Sequence, residues 1–150
     1  MAKYICTVVL TASMCFYRSY TDTIEKATYC NEISAADMEL IYRSVMSEAG
    51  GDGVLSQKGV TTVILNRYFS PNFPNTIPEV INGQFSTADN GPVTDEVRRS
   101  VNLAILEYGT KRQILPYNCY YFRAWYYHSF GIPYCQLGNN FFSLSEDATD

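Results

Sequence analysis

The sequence predicts an α+β fold, mostly α, and three observations carry that reading. Three stretches carry helix start and stop signals, and a fourth has apolar residues at helical spacing. The segment 117–144, "YNCYYFRAWYYHSFGIPYCQLGNNFFSL", is dense in Tyr, Phe and Trp and broken by Gly and Pro, which suits short strands and loops. A chain of 150 residues, 47 % hydrophobic, is the size of one domain that buries a core without metal or disulfide staples.

Residues 1–33 read as a leader. Lys3 precedes a mostly apolar run to Tyr17, too short to cross a bilayer as a helix but long enough for a signal-peptide core. Thr7, Thr11 and Ser13 dilute the run, and the same β-branched stretch suits an edge strand, so both readings stay open. The polar segment "YTDTIEKATYCNEI" then links the leader to a domain over 34–146, and 147–150 read as a frayed acidic tail. Apart from that signal or anchor segment, no stable membrane insertion is expected.

Ser34 and Asp37 form an [ST]-x-x-[DE] start signal, predicting a helix over 35–49. At about 100° per residue, Met38, Ile41, Tyr42, Val45 and Ala49 share one face. Glu48 falls only about 20° round from Ile41, at the border of that stripe. Gly50, Gly51 and Gly53 follow at once and are expected to end the helix through left-handed backbone angles. In "LSQKGVTTVILNRYF" the β-branched run favours strand, while Val60, Val63, Ile64 and Arg67 favour helix; helix is the reading adopted. "SPNFPN" is a loop, and Thr76 with Glu79, Pro78 in the first turn and Gly83 at the end predicts a short helix. Thr94 caps the clearest helix, in which Val97, Val101, Ala104, Ile105 and Tyr108 recur on one face before Gly109.

Composition narrows the chemistry. A net charge of −4 leaves no basic surface to displace counterions from nucleic acid, so no nucleic-acid partner is expected. One histidine and no C-x-x-C pair argue against a metal site, and no phosphate-cradling glycine motif is present, so neither metal nor cofactor is expected. Of five cysteines, Cys119 and Cys135 are the pair best suited to a disulfide in an oxidising compartment; small buried hydrophobes are the equal alternative.

Glu48 is the residue that could carry chemistry. Apolar neighbours disfavour a charged carboxylate, the condition a carboxyl group needs to donate a proton near neutral pH, and the glycines behind it clear space for a bulky ligand. Glycosidic cleavage usually takes a second carboxylate. Asp52 and Asp89 are candidates, but acids in Gly-rich turns mostly form the turn. One carboxylate suffices when the substrate brings its own nucleophile: in peptidoglycan the muramic C6 hydroxyl can attack C1, with one glutamate as acid and then base. Aromatics support a sugar ligand, since pyranose C–H faces pack on flat rings; Tyr120, Tyr121, Phe122, Trp125, Tyr126 and Tyr127 are candidates, about half of them expected in the core.

Glu48-Ala49-Gly50, "GVTTVILNRYFSPNFPNTIPEVI", "GQFS", the helix ending "AILEYG", then "YYF" and "LGNNFFS" resemble, in that order and spacing, the cell wall hydrolase family typified by the spore-cortex-lytic enzymes SleB and CwlJ. The resemblance runs over nearly all of 36–143. It implies a lysozyme-like single catalytic domain with a small aromatic-rich β/loop region. It also implies peptidoglycan glycan strands as partner and a lytic transglycosylase mechanism with the catalytic glutamate at Glu48. Gln84, Phe85 and Ser86 match the family's cleft motif, and Tyr121 and Phe122 its aromatic pair; with Trp125 they form the expected substrate-binding set. Asn66 and Arg67 are expected to hold the second helix in place by hydrogen bonds or an ion pair.

The sequence departs from the family where Asn140 stands, since many members carry histidine there. A 33-residue leader leaves no room for a separate wall-binding module, so a phage lysin or a vegetative wall-remodelling enzyme fits as well as a cortex enzyme. The expected location is the cell wall or periplasm after export, or a host wall attacked by a phage-encoded lysin. Two rivals remain: a non-catalytic glycan-binding or virion structural module of the same fold, and a thiol peptidase using Cys119 or Cys135 with His128.

Overall fold

The computed structural model describes residues 33–87 and 91–146. The leader, Cys6, Cys15, Cys30, Asp89 and the tail at 147–150 therefore lie outside the described residues. Among the described residues no helix is long and apolar enough to cross a membrane.

Helix α1 spans Ala35–Ala49, and its cap is the expected one: Ser34 Oγ accepts from the Asp37 amide at 3.1 Å and donates to the Asp37 carboxylate at 2.9 Å. Helix α2, Val54–Phe69, settles the ambiguous stretch as helix. Thr61 and Thr62 turn their hydroxyls back onto the carbonyls of Gln57 and Lys58, each at 2.8 Å, so β-branched residues sit in the helix with their polar atoms satisfied. Every residue from Gly59 to Arg67 is buried. A helix covered on all sides has no polar face, which is why its periodicity is weak.

Helix α3, Ile77–Asn82, is capped by Thr76, and α4, Asp95–Gly109, by Thr94, whose Oγ1 accepts from Val97 N at 3.2 Å. The α4 stripe faces the core, with Val97, Val101, Ala104, Ile105 and Tyr108 all buried. Around α2 pack α1, α3 and α4, with Ile41, Val45, Val60, Ile64 and Leu65 sharing one hydrophobic core.

The aromatic segment forms a three-stranded antiparallel sheet of β1 (Cys119–Ala124), β2 (Ile132–Leu137) and β3 (Asn140–Leu144) in the order β1-β3-β2. The β2–β3 hairpin turns in two residues: Leu137 pairs with Asn140, and Gly138 supplies the positive φ of +60°. A Cβ at Gly138 would sit 2.7 Å from the Asp52 carbonyl oxygen, so the hairpin tip rests directly on the loop after α1.

Asn66 and Arg67 join the layers through hydrogen bonds and not through an ion pair. Asn66 Nδ2 donates to the carbonyls of Pro116 (2.9 Å) and Cys119 (2.8 Å), and Arg67 Nε to that of Tyr120 (2.8 Å), fixing α2 to the start of β1.

The expected disulfide does not form; Cys119 and Cys135 are free thiols. Their strands lie on either side of β3, and strands two places apart are separated by roughly 9.6 Å, beyond the reach of an unstrained bridge. The helix end also differs from expectation. Gly50 is right-handed at φ −57°, and of the three glycines only Gly53 takes a positive φ, +82°. Gly50 is needed for space: a Cβ there would lie 2.4 Å from the Met46 carbonyl oxygen.

Candidate active site

The last turn of α1 brings Glu48 to the rim of an open groove of about 320 Å³ lined by Met46–Asp52. Its side chain is half-buried. Oε1 accepts a 2.5 Å hydrogen bond from the Ser86 amide, in the loop after α3, and Ser47 Oγ donates to Ser86 Oγ at 2.8 Å. Oε2 takes no hydrogen bond from the described residues. One carboxylate oxygen is thus oriented by the main chain, and its twin meets no donor among the described residues. The surroundings are more polar than the wheel position implies, because Ser47, Ser86 and Asp52 crowd the apolar border.

Asp52 is a strut. Its Oδ1 accepts from Asn139 Nδ2 at 2.7 Å and its Oδ2 from Asn140 Nδ2 at 3.3 Å. Asn140 Nδ2 also lies 3.1 Å from the Glu48 carbonyl oxygen and 3.0 Å from Ser56 Oγ. Asn140 is 1 % exposed. The position where an imidazole was expected therefore holds an amide that ties β3 to the end of α1 and the start of α2. Both oxygens of the neighbouring carboxylate are occupied in this clamp.

The other expected substrate residues divide into two groups. Ser86 touches Glu48 directly, and Gln84 beside it is exposed. Phe85 is 8 % exposed and packs against Phe122, which in turn packs against the buried Phe142, ring centroids 5.7 Å apart in each pair. Tyr121 is half-buried with its ring edge-on to Phe130. Trp125 is 71 % exposed, at φ +74°, a conformation that side chains other than glycine adopt at a cost. Its amide donates to the Asn139 carbonyl at 2.8 Å, which sets the exposed indole at the Asn139–Asn140 end of the sheet, beside the clamp. Tyr120 is buried, whereas Tyr126 is exposed beneath the Arg123 guanidinium, 4.0 Å from its ring. Of the six aromatics only Tyr120 is buried, and Phe122 packs part-buried against the core, so fewer than the expected half are core residues.

The thiol alternative finds no geometry. Cys119 is fully buried, its thiol pushed up to about 12 by burial first and by Cys135 second. Burial also raises Cys135. His128 meets the Phe122 carbonyl oxygen at 3.1 Å and stacks on Phe130. Among the described residues no group of three His, Cys, Asp or Glu side chains could hold a metal.

Ser47, Asn139 and the hydrogen-bonding role of Asn140 are parts of the site that the sequence reading missed. The only local signal was the turn pair Gly138-Asn139; contacts spanning 84 to 92 residues leave no pattern in the chain.

Comparison with known proteins bears on the family and the fold. A family model described as Cell Wall Hydrolase matches residues 51–143, beginning three residues past Glu48. Two spore cortex-lytic enzymes of Bacillus cereus are each 43 % identical over 51 residues, 34 % of this chain and 20 % of theirs. The chain thus matches about a fifth of the length of these relatives. The crystal structure of the catalytic domain of the Bacillus cereus SleB protein superposes with a TM-score of 0.59 at 22 % identity, covering 73 % of this chain and 91 % of that one. The small antiparallel sheet on a mostly helical body is the fold the two share.

Proposed function

The chain belongs to the cell wall hydrolase family, and on that footing we propose that it cleaves the glycan strands of peptidoglycan as a lytic transglycosylase, with Glu48 as the single acid and base. One observation carries the reading. At the groove rim stands a carboxylate with one oxygen held and the other free, while the next carboxylate along the chain, Asp52, spends both oxygens on Asn139 and Asn140. A site built this way has an acid, while the other carboxylate lining the groove is committed to the clamp and not free to act as nucleophile or base.

The chemistry then follows from the substrate. Protonated Glu48 gives its proton to the glycosidic oxygen as the C1–O bond breaks. The resulting carboxylate takes the proton of the muramic C6 hydroxyl as that oxygen bonds to C1. The product carries a 1,6-anhydro ring and Glu48 regains its proton, so the cycle closes without water. Ser86 N–H fixes the rotamer for both transfers. Trp125 and Tyr126, exposed at the near end of the sheet, offer faces for pyranose rings, with Tyr121 and Gln84 alongside. Phe85 and Phe122 support these surfaces from the core side. The reaction draws on no cofactor, and its substrate places the chain at a wall, reached by export or as a phage-encoded lysin.

Glu48→Gln tests the proposal, because it keeps shape and loses the proton. Lysis of purified sacculi should fall by at least about 10²-fold with thermal stability unchanged, and mass spectrometry of wild-type fragments should find anhydro ends. Reducing ends would replace internal attack by water attack, and a Glu48→Gln variant lysing walls at the wild-type rate would remove Glu48 from the chemistry. Tight binding of the wild type to sacculi without lysis would support the non-catalytic glycan-binding module.

A further inference from the structure

Among the described residues Arg67 is a buried cation without an anion. It is 6 % exposed, and none of the ion pairs includes it. Its Nε donates to the Tyr120 carbonyl, whereas Nη1 is buried without an acceptor. Burial is the main cause pulling the guanidinium down to about 10. A charge so placed weakens a fold unless something else requires it. What it does touch is aromatic: its central carbon lies 5.2 Å from the centroid of Phe73 and 5.0 Å from that of Phe85.

Phe85 is the residue before Ser86, and a single carbonyl separates its Cα from the amide that holds Glu48 Oε1. The loop enters from α3 through hydrogen bonds from the Gln84 and Phe85 amides to the Ile81 carbonyl, at 3.2 and 2.9 Å. The Phe85 ring pins it from the other side, between Arg67 and Phe122. We propose that Arg67 is a positioning residue for catalysis: anchored on Tyr120 and stacked on Phe85, it fixes the 84–86 loop so that the Ser86 amide holds the Glu48 carboxylate in its working rotamer. This rests on the reading of Glu48 as the acid. The planar guanidinium suits the role because it covers a ring face while still donating in its own plane, which neither an aliphatic chain nor a compact ammonium does as well.

The test compares Arg67→Met, which keeps length and loses the charge and donor, with Arg67→Lys, which keeps a cation. Two readouts are taken on folded protein: kcat and KM on soluble glycan fragments, and hydrogen exchange at the Ser86 amide relative to core amides. In Arg67→Met, Ser86 should exchange faster while core amides stay protected, and kcat should fall roughly 10- to 100-fold at nearly constant KM, the cost of a misplaced catalytic group. Arg67→Lys should recover part of both. Should Arg67→Met fail to fold, Phe85→Leu is read in its place, with the same expectations. Unchanged Ser86 exchange together with kcat within about twofold of wild type overturns the proposal. The Glu48→Gln variant keeps the two ideas apart: if it retains full activity the acid assignment fails, while Ser86 exchange in Arg67→Met still decides whether Arg67 holds the loop.

Discussion

Replacing Asn140 with alanine should loosen the whole site, and the size of the effect follows from its contacts. Its Nδ2 lies within 3.3 Å of three acceptors, the Glu48 carbonyl, Asp52 Oδ2 and Ser56 Oγ. An amide nitrogen has two protons, so at most two of these are full bonds at once. A buried neutral bond contributes about 1 kcal/mol and one to a carboxylate about 1.5–3 kcal/mol, so Asn140→Ala should cost about 2–4 kcal/mol. Against a total stability of roughly 5–15 kcal/mol that is a large fraction, and it corresponds to a melting point lower by about 10 °C. Asn139→Ala, which removes a single exposed bond to Asp52, is the internal control and should cost about 1 kcal/mol or less. Asn140→Asp should be worse than alanine at neutral pH, because it sets a second carboxylate against Asp52. Urea titration with linear extrapolation gives the free energies, and sacculus lysis reports whether Glu48 loses its seat. An Asn140→Ala protein within about 0.5 kcal/mol of wild type would show that the clamp is decoration and that the hairpin holds its place by packing alone.

Other consequences concern packing, ligand contact and pH. Gly59→Ala inside α2 would ordinarily stabilise by about 1 kcal/mol. Here the new Cβ would lie 2.6 Å from Phe142 Cζ, and that ring is fully buried and has nowhere to move, so a net loss of about 1–2 kcal/mol is expected; a higher melting point would reject this account of the helix–sheet contact. Trp125→Gly removes the indole and suits the left-handed backbone, so it should leave the melting point equal or higher while weakening sacculus binding; unchanged affinity would remove Trp125 from the sugar platform. Cys119 is raised from its ordinary 9.0 to about 12, so the folded chain keeps a proton that the unfolded chain sheds above about pH 9. Its contribution is complete below pH 9 and declines as pH rises toward 12, by up to about 1.4 kcal/mol per unit. Wild type should therefore lose stability over that range faster than Cys119→Ala, and parallel curves would contradict the assignment.

How far the sequence could be read depended on whether the signal was local. Ser34, Thr76 and Thr94 announce helices because a cap acts within four residues, and the α4 stripe is visible because one face meets the core and the other meets water. Glu48 stood out for the same reason: its angle beside Ile41 survives in the fold as a half-buried position on a groove. The central helix was harder to read, since burial on every side erases the periodicity that would reveal it. The contacts of Glu48 left no local signal: Ser86 was expected in the cleft only through the family resemblance, and neither its bond to Glu48 nor that of Asn140 was foreseen. Ser86 lies 38 residues away and Asn140 92 away, and only the folded chain brings them together. Arg67 was expected to hold a helix and does, through Tyr120, but its stacking on Phe85 could not be foreseen, because nothing in "LNRYF" points to the loop at 84–86.

The sheet order has a consequence for how the protein comes to life. The strand in the middle, β3, is the last of the three in sequence, and among the described residues the outer two have no other strand to pair with until it arrives. A growing polypeptide can wind these four helices, with Ser86 already made, and still lack Asn140, the amide that ties β3 to the main chain at the end of α1. The tie between the sheet and the end of α1 is thus the last part of the described fold to be made, complete only with residues 140–144.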